Sequence, residues 1–341
     1  MVTVKSIAQK LGLSSATVSR ALRNDATLSI ASETRMRILM TAEKMGYVKK
    51  EALNKNPTIT VEKKIVVIHN QQTFRHQIDS SYYFSMRTGI EDSCNAFGFQ
   101  YGFCLVENIG NFQESIDGAI IVGNYMEEQY AEICAVLKGV PLISAGIISY
   151  YPEIIDHITY SNKESVKMAL DYLLLNGHKQ IGYLGIKEAI GTELFGSRKQ
   201  VFIDILQKRE LLNTEWIYER EHGTDRMEEG YKAMDAWLSK KEPLPTAIFC
   251  ANDPVALGAV KALLEHHIQV PEEISIISHD GSYPTQYSFP PITTVDVHPY
   301  QMGLESVCAL KERLLSQRKI TKKIILFPEL IVRSSVKQLG A

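Results

Sequence analysis

The chain has 341 residues, of which 45% are hydrophobic and 22% are charged, with 21 glycines and 12 prolines. This length suits two or three domains, and the composition excludes collagen-like, disulfide-scaffold and wholly disordered proteins. The net charge is −2, but residues 1–60 contain ten Lys and Arg against four Asp and Glu, so the rest of the chain is net acidic. A small basic head on a larger acidic body predicts that the head meets a polyanion.

The sequence also disfavours membrane and metal-binding classes. No apolar run approaches the roughly 18 residues that a membrane span needs, and the start of the chain lacks the apolar stretch and cleavage site of a signal peptide. The five cysteines are scattered, with no Cys-x-x-Cys pair and no zinc-ligand spacing to histidine. We therefore expect a cytoplasmic protein with reduced cysteines, no metal and no membrane partner.

The basic head is predicted to consist of short helices. Apolar residues recur at helical spacing over residues 4–11, and Thr3 is placed to cap this segment. A glycine-containing turn at residues 12–14 is followed by a second helix, and a third begins near Ser32. Two short helices joined by a three-residue turn, together with a packing helix, indicate a helix-turn-helix.

The second helix of a helix-turn-helix lies in the major groove of double-stranded DNA. An arginine there can pair with guanine O6 and N7, while hydroxyl groups hold phosphates. The predicted contacts on and around this helix are Ser14, Ser15, Ala16, Thr17, Ser19, Arg20 and Asn24. A plain three-helix bundle with capping serines and solvated arginines is the competing interpretation, and the charge asymmetry favours DNA binding.

The head contains two runs that occur together in one known family. The run TVKSIAQKLGLSSATVSRALRND begins at Thr3, and SETRMRILMTAEKMGY ends at Tyr47. They resemble the DNA-binding head of the lactose/galactose-repressor family of bacterial transcription regulators, which extends the predicted DNA contacts to Thr3, Lys5 and Tyr47. Members usually continue with a hinge helix whose leucine wedges into the minor groove. Here that segment is KKEALNKNPTITVEKK, which departs from the usual hinge, and Leu53 is the candidate wedge.

From residue 64 onward, apolar strand-like runs alternate with helical stretches. The predicted strands are KIVVIHN, FQYGFCLV, GAIIVG, PLISAG, HITYS, QIGYLG, TAIFCAND, EISIISHD and IILFPELIVR. Near-continuous apolar strands separated by helices imply parallel sheets covered on both faces. The alternation is interrupted around residues 290–297, and two lobes linked by several crossings account for the length better than one sheet.

We therefore predict a small all-α helix-turn-helix head and an α/β core of two parallel doubly wound sheets, with the layout of periplasmic binding proteins. The predicted boundaries are a head at 1–47, a hinge at 48–63 and a core at 64–341, with an N-terminal lobe at about 64–158 and 296–326 and a C-terminal lobe at about 159–292 and 327–341. Open parallel sheets bind ligands at the carboxyl ends of their strands, where the residues are polar in this chain. These residues are His69-Asn70, Tyr160-Ser161, Asn252-Asp253 and His279-Asp280.

Motifs in the body carry the same family resemblance. GHKQIGYLG, CANDPVALGAV, ISIISHD and FPPITTV resemble the effector-binding core of the family, so that the resemblance covers nearly the whole chain. SSYYFSMRTGIE and SFPPITTV are most similar to repressors of galactoside-use operons. The resemblance implies a homodimer that binds a near-palindromic operator and a small-molecule effector, expected to be a sugar, which releases the operator. No leucine-rich heptad segment follows IVRSS, which favours a dimer over a tetramer.

The resemblance also implies the residues that hold the effector. Arg198 in FGSRKQVF, Asn252 in CAND and Asp280 in SHD match the family residues that bind the ligand, and they suit sugar hydroxyls chemically. An ion pair between the lobes is the competing interpretation for Arg198 and Asp280. The candidates for an apolar wall against a sugar ring are Tyr82, Tyr83 and Tyr160, for which ordinary packing beneath the cleft is equally open.

Two departures from sugar-responsive relatives concern the same pocket. Those relatives often carry Asp where this chain has Gly146, and an aromatic residue near Asp225 and Arg226. The changed positions leave open a different sugar, a phosphosugar or no sugar as the effector.

The sequence contains no Gly-x-Ser-x-Gly elbow, His-Glu-x-x-His pair, Gly-x-Gly-x-x-Gly fingerprint or phosphate loop. We therefore expect no enzymatic activity, no catalytic residues and no cofactor. A sugar-binding receptor or transport component is the main alternative to a regulator, and a Rossmann-type nucleotide-binding enzyme is a weaker one.

Overall fold

The computed structural model describes residues 3–22, 34, 38, 41, 63–70, 81–147, 150–187, 197–220, 225–316 and 318–340. The chain divides into two compact units, Met1–Ile59 and Thr60–Ala341, and each is described by itself. Three of the predicted DNA contacts, Asn24, Tyr47 and Leu53, lie outside the described residues.

The first unit begins with helix α1 (Val4–Leu11), which both of its ends define locally. Thr3 Oγ1 accepts a hydrogen bond from the Ser6 amide at 3.2 Å, and Ser6 Oγ accepts one from the Thr3 amide at 3.0 Å. This reciprocal capping satisfies two amide groups that the first helical turn leaves without partners. The helix ends at Gly12, whose φ of +66° is favourable for glycine.

Helix α2 (Ser15–Leu22) follows after a short turn, as the sequence predicts. Ser14 Oγ accepts a hydrogen bond from the Thr17 amide at 3.0 Å and thereby caps the helix. The two helices pack through a small apolar core in which Ile7, Val18 and Ile38 are fully buried. This packing fixes the exposed side of α2.

The second unit is an α/β structure. Its strands, within the described residues, are β1 (Lys64–His69), β2 (Gln100–Leu105), β3 (Gly118–Val122), β4 (Leu142–Ala145), β5 (Ile155–Tyr160), β6 (Ile181–Ile186), β7 (Ile217–Arg220), β8 (Ala247–Cys250), β9 (Ser275–Asp280), β10 (Thr293–Asp296), β11 (Lys323–Leu326) and β12 (Glu329–Ile331). Its α-helices are α3 (Ser81–Phe97), α4 (Glu127–Val136), α5 (Asn162–Leu175), α6 (Arg198–Lys208), α7 (Arg226–Ser239), α8 (Asp253–Glu265) and α9 (Pro299–Ser316).

The strands form two six-stranded sheets, in the orders β11-β5-β4-β3-β1-β2 and β12-β10-β9-β8-β6-β7. All pairings are parallel except that of β10 with β12. Each sheet has buried apolar clusters on both faces, because successive strand residues point to opposite sides. The predicted class, two parallel sheets covered by helices, is confirmed.

The chain passes between the sheets after β5, after β10 and between β11 and β12. The predicted single strand IILFPELIVR is wrong in this respect, because β11 ends before Phe327 and β12 belongs to the other sheet. Pro328 lacks an amide hydrogen and so suits a junction between two ladders. Residues 293–296, where the sequence pattern is interrupted, form β10, and the prediction also missed β7.

Within the described residues, no helix is both long and apolar enough to cross a bilayer. The same residues contain no cluster of His, Cys, Asp and Glu that is arranged to hold a metal ion.

Candidate functional site

A polar group lies where strands of the second sheet end. Asp280 closes β9, and Arg198 is the first residue of α6. Arg198 Nη1 lies 3.5 Å from Asp280 Oδ1, and each side chain is only 10% exposed. Both residues belong to the lobe of the second sheet, so this ion pair lies within one lobe. The structure brings Arg198 and Asp280 together, and their pair is not the inter-lobe ion pair of the competing interpretation.

His279, which is not among the effector contacts predicted from the sequence, completes this polar group. Its imidazole is fully buried, with Nδ1 3.0 Å from Asp280 Oδ1 and Nε2 2.8 Å from Ser165 Oγ. Ser165 lies on α5 and donates its own hydroxyl hydrogen to the carbonyl of Asn162 at 3.1 Å. In the sequence, the position of this histidine beside Asp280, at the end of an apolar strand, could have indicated its role.

Aromatic side chains of the first sheet's lobe lie beside this polar group. The Tyr160 ring, at the end of β5, is 5.5 Å from the His279 ring. Tyr82 and Tyr83, in the first turn of α3, pack edge to face at 5.0 Å, and Tyr82 lies 6.5 Å from Tyr160. Residues from both lobes therefore share one site.

Burial and neighbouring charges shift the pKa of the tyrosine hydroxyl groups at this site. Burial raises the pKa of Tyr82 well above its usual range, Asp280 raises it further, and Arg198 opposes the rise. Tyr160 is only 5% exposed, which fits the packing interpretation, whereas Tyr82 and Tyr83 keep part of their surface accessible. The phenols are therefore neutral groups that offer both an apolar face and a hydroxyl.

Asn252 caps a helix at this site. Its Oδ1 caps α8 by accepting a hydrogen bond from the Val255 amide at 3.0 Å, and the residue is 5% exposed. Its amide nitrogen is the group through which it would contact an effector.

Asp253, predicted from the sequence only as a polar residue at a strand end, holds neighbouring segments of the site together. Its buried carboxylate accepts hydrogen bonds from Thr294 Oγ1 at 2.7 Å, from the Ser282 amide at 2.5 Å and from Ser278 Oγ. Burial, followed by the nearby charge of Asp280, raises its pKa to about 7. The bond to Ser282 ties the turn after Asp280 to α8, which fixes the end of β9.

The structure shows the surroundings of the two expected departures from sugar-responsive relatives, at Gly146 and at Asp225-Arg226. A Cβ atom at Gly146 would lie 2.8 Å from the carbonyl oxygen of Gly123, so the backbone leaves no space for an aspartate there. Asp225 caps α7 by accepting a hydrogen bond from the Glu228 amide at 2.9 Å. Burial raises the pKa of Tyr83, and the charge of the nearby Arg226 opposes that rise, which places a second guanidinium near the aromatic side of the site.

The helical head presents on its surface those predicted DNA contacts that lie within the described residues. Thr3, Lys5, Ser14, Ser15 and Ala16 are exposed. The partly exposed contacts are Thr17, Ser19 and Arg20. Residues 3–22 carry three basic side chains and no acidic one, so this surface suits the phosphates of a nucleic acid.

Comparisons with known proteins match both parts of the chain. Bacterial regulatory proteins of the lacI family match residues 3–50, and the periplasmic binding protein-like domain matches residues 170–336. The HTH-type transcriptional regulator GalR of Streptococcus thermophilus is 30% identical to this protein over 99% of this chain and 100% of its own.

Two solved structures share the fold. The transcriptional regulator CelR in complex with cellobiose has a TM-score of 0.68 at 18% identity, over 98% of this chain and 100% of that chain. The Lac repressor dimer bound to operator and the anti-inducer ONPF has a TM-score of 0.69 at 21% identity, over 98% and 99% of the two chains. The helical head, the two-sheet core and the full-length relative agree: the chain belongs to the lacI family of bacterial regulatory proteins, and it is a DNA-binding transcription regulator rather than an enzyme.

Proposed function

We propose that this regulator represses a sugar-utilisation operon of the galactoside type. It binds a near-palindromic operator as a homodimer and leaves it when a small sugar binds between the two lobes. The observation that carries the proposal is the buried group of Arg198, His279 and Asp280 beside Tyr82 and Tyr83.

The chemistry of this group suits a neutral polyol. A guanidinium offers several donors in a fixed fork, and a carboxylate accepts from two neighbouring hydroxyl groups. Arg198 and Asp280 lie close enough to contact the same ring of hydroxyls. The tyrosines offer apolar surface for the C–H face of a sugar. CelR, which shares the fold, is known in complex with cellobiose.

DNA recognition is assigned to the exposed side of α2. Ser15, Ala16 and Arg20 are its outward residues, while Ser14 and Thr17 occupy the start of the helix, where hydroxyls reach phosphates. Two heads in one dimer read two half-sites, so the operator has the symmetry of the dimer. The Lac repressor, which shares the fold, forms a dimer on its operator.

Release requires that the sugar prefers one arrangement of the lobes over the other. The site contains residues from both lobes, so a bound sugar stabilises the arrangement that brings Tyr82 toward Arg198 and Asp280. A coupling free energy of about 1–3 kcal/mol is typical and lowers operator affinity by about 5- to 150-fold.

The experiment measures operator binding by fluorescence anisotropy, with an operator selected from random duplexes. Affinity is expected to fall steeply with salt, because bound phosphates release counterions. D-galactose, lactose, melibiose and cellobiose are then added, and at least one galactoside is expected to release the protein. Arg198→Ala should bind the operator normally and fail to release it, whereas Arg209→Ala, just beyond the other end of α6, should behave as the wild type.

Equal binding to operator and random duplex would contradict the repressor function. Specific binding that no galactoside weakens, or that a sugar strengthens, would contradict the proposed effector and the direction of the switch.

A further inference from the structure

The imidazole of His279 has two incompatible partners at one nitrogen. Nδ1 lies 3.0 Å from Asp280 Oδ1 and 3.4 Å from Arg198 Nη1. Without a hydrogen, Nδ1 accepts from Arg198; with a hydrogen, it donates to Asp280. The two hydrogen bonds therefore exclude each other.

The hydrogen bond at Nε2 determines which of the two ring nitrogens gains and loses the proton. Nε2 lies 2.8 Å from Ser165 Oγ, and the single hydroxyl hydrogen of Ser165 is directed to the Asn162 carbonyl. Toward His279, the serine oxygen therefore acts as an acceptor and Nε2 carries a hydrogen. The neutral ring then has its lone pair at Nδ1, and protonation adds the hydrogen that faces Asp280.

We propose that His279 is a positioning residue of the effector site, which presents Asp280 and Arg198 to a neutral sugar in one of two arrangements according to its protonation. This inference rests on the function proposed above and adds to it a proton-linked affinity.

The surroundings of the ring support this role. The titratable and charged groups that contact the ring are Arg198 from α6, Asp280 from its own strand and Tyr160 from β5. Behind them lie Tyr82 from α3, beside Tyr160, and Asp253 from α8 and Asp296 from β10, beside Asp280. Among the described residues, Arg198 and Asp280 are a cation and an anion within hydrogen-bond distance of the ring, and both lie at the same nitrogen. A change of charge at Nδ1 therefore acts first on the two residues that are proposed to bind the sugar.

The two arrangements differ in what they offer to a ligand. In the protonated ring, Nδ1 holds the carboxylate of Asp280, and repulsion between like charges directs the Arg198 guanidinium away from the ring and toward a ligand. In the neutral ring, Arg198 bonds to Nδ1 and Asp280, and a sugar must replace these contacts. Sugar affinity is therefore expected to rise as the pH falls, by up to about tenfold per pH unit across the titration of the ring.

Two substitutions distinguish the roles of the two ring nitrogens. In His279→Asn the amide occupies the position of Nδ1 and donates permanently to Asp280, whereas in His279→Gln it occupies the position of Nε2 and reaches only Ser165. Binding of D-galactose, lactose, melibiose and cellobiose is measured calorimetrically between about pH 5.5 and 8, the range in which histidine titrates. Both variants should bind sugar with an affinity that no longer depends on pH. His279→Asn should bind more tightly than His279→Gln, because only the Asn amide keeps the hydrogen bond to Asp280 and offers Arg198 no acceptor there.

The matched control is His178→Asn. His178 is equally buried in the second sheet's lobe, between Thr246 Oγ1 and the Lys337 carbonyl, each at 3.0 Å, and has no part in the site. This variant should retain the pH profile of the wild type. Thermal unfolding verifies that every variant is folded.

A second measurement needs no sugar. The C2 proton of His279 is followed by NMR across the same pH range in the full chain. Asp280→Asn should lower the titration midpoint, and Arg198→Ala should raise it, each by about one pH unit or more. Unchanged midpoints in both variants would overturn the proposal, as would a pH-independent wild-type affinity or equal effects of Asn and Gln. If no sugar binds but both midpoints shift, the coupling stands and the proposed effector class is wrong.

Discussion

Arg20 lies on the partly exposed side of α2, where a guanidinium can reach base edges. We expect Arg20→Ala to lower discrimination between operator and random DNA by about 1–3 kcal/mol per half-site, because a lost bidentate contact to guanine affects only the correct sequence. Anisotropy titrations against both duplexes measure this ratio.

The matched substitution is Thr17→Ala, which removes a hydroxyl that bonds to Ser14 Oγ at 2.8 Å, at the end of α2 that we propose faces the phosphates. It should weaken binding to the operator and to the random duplex to a similar extent. An unchanged ratio for Arg20→Ala would mean that α2 is not placed in the groove as proposed.

Asp253 makes the stability of the second unit depend on pH. Its pKa is raised from 3.8 to about 7, so between these values the native chain keeps a proton that the unfolded chain has released. The free energy of unfolding contributed by this group is therefore complete below about pH 4 and is lost as the pH rises through about 7. A pKa shift of this size corresponds to a contribution of roughly 4 kcal/mol to the free energy of unfolding.

The test compares urea unfolding of the wild type with that of Asp253→Asn from pH 4 to pH 8. The variant should be less stable at low pH, where it lacks the protonated carboxyl, and the difference should shrink as the pH rises. A difference that stays constant with pH would show that Asp253 does not titrate in this range.

At the scale of elements, helices α3 and α9 of the first lobe cross at very short distance. A Cβ atom at Gly89 of α3 would lie 2.1 Å from the carbonyl oxygen of Tyr300, and one at Gly303 of α9 would lie 2.1 Å from that of Met86. Glycine at both positions lets the two backbones touch. Tyr82 and Tyr83 lie in the first turn of α3, so this crossing fixes the position of the helix that carries them.

Gly89→Ala should therefore lower the free energy of unfolding by about 1–3 kcal/mol, because the added methyl group meets backbone atoms that cannot rotate away. The control is Gly102→Ala on β2, where an added Cβ atom meets nothing within 4 Å. It should change stability by less than about 0.5 kcal/mol. Urea unfolding measures both, and equal effects would contradict the close crossing.

The whole molecule consists of two units that can be separated experimentally. Removing residues 1–59 leaves the unit that contains both sheets and the candidate site. We expect the shortened chain to lose operator binding and to retain sugar binding, since Arg198, Asp280 and the tyrosines all remain. Calorimetry and anisotropy provide the two readouts, with circular dichroism to verify folding. Loss of both activities from a folded fragment would contradict a modular regulator.

Features that depend on neighbours along the chain could be predicted from the sequence by itself. The caps at Thr3 and Ser14, the glycine that ends α1 and the apolar strands of both sheets depend on residues a few positions apart. The family also followed from short runs, because the head motif and the core motifs are local. Local chemistry thus determined the class of protein and most of its elements.

The tertiary structure alone decided how distant residues meet. His279 bonds to Ser165, which lies 114 residues earlier, and no periodicity encodes that contact. The same holds for Asp253, which accepts hydrogen bonds from β9, from the turn after β9 and from β10. It also holds for the division of residues 323–331 between two sheets. The physical reason is that buried polar groups must find partners wherever packing brings them, so their pairing is a property of the folded core.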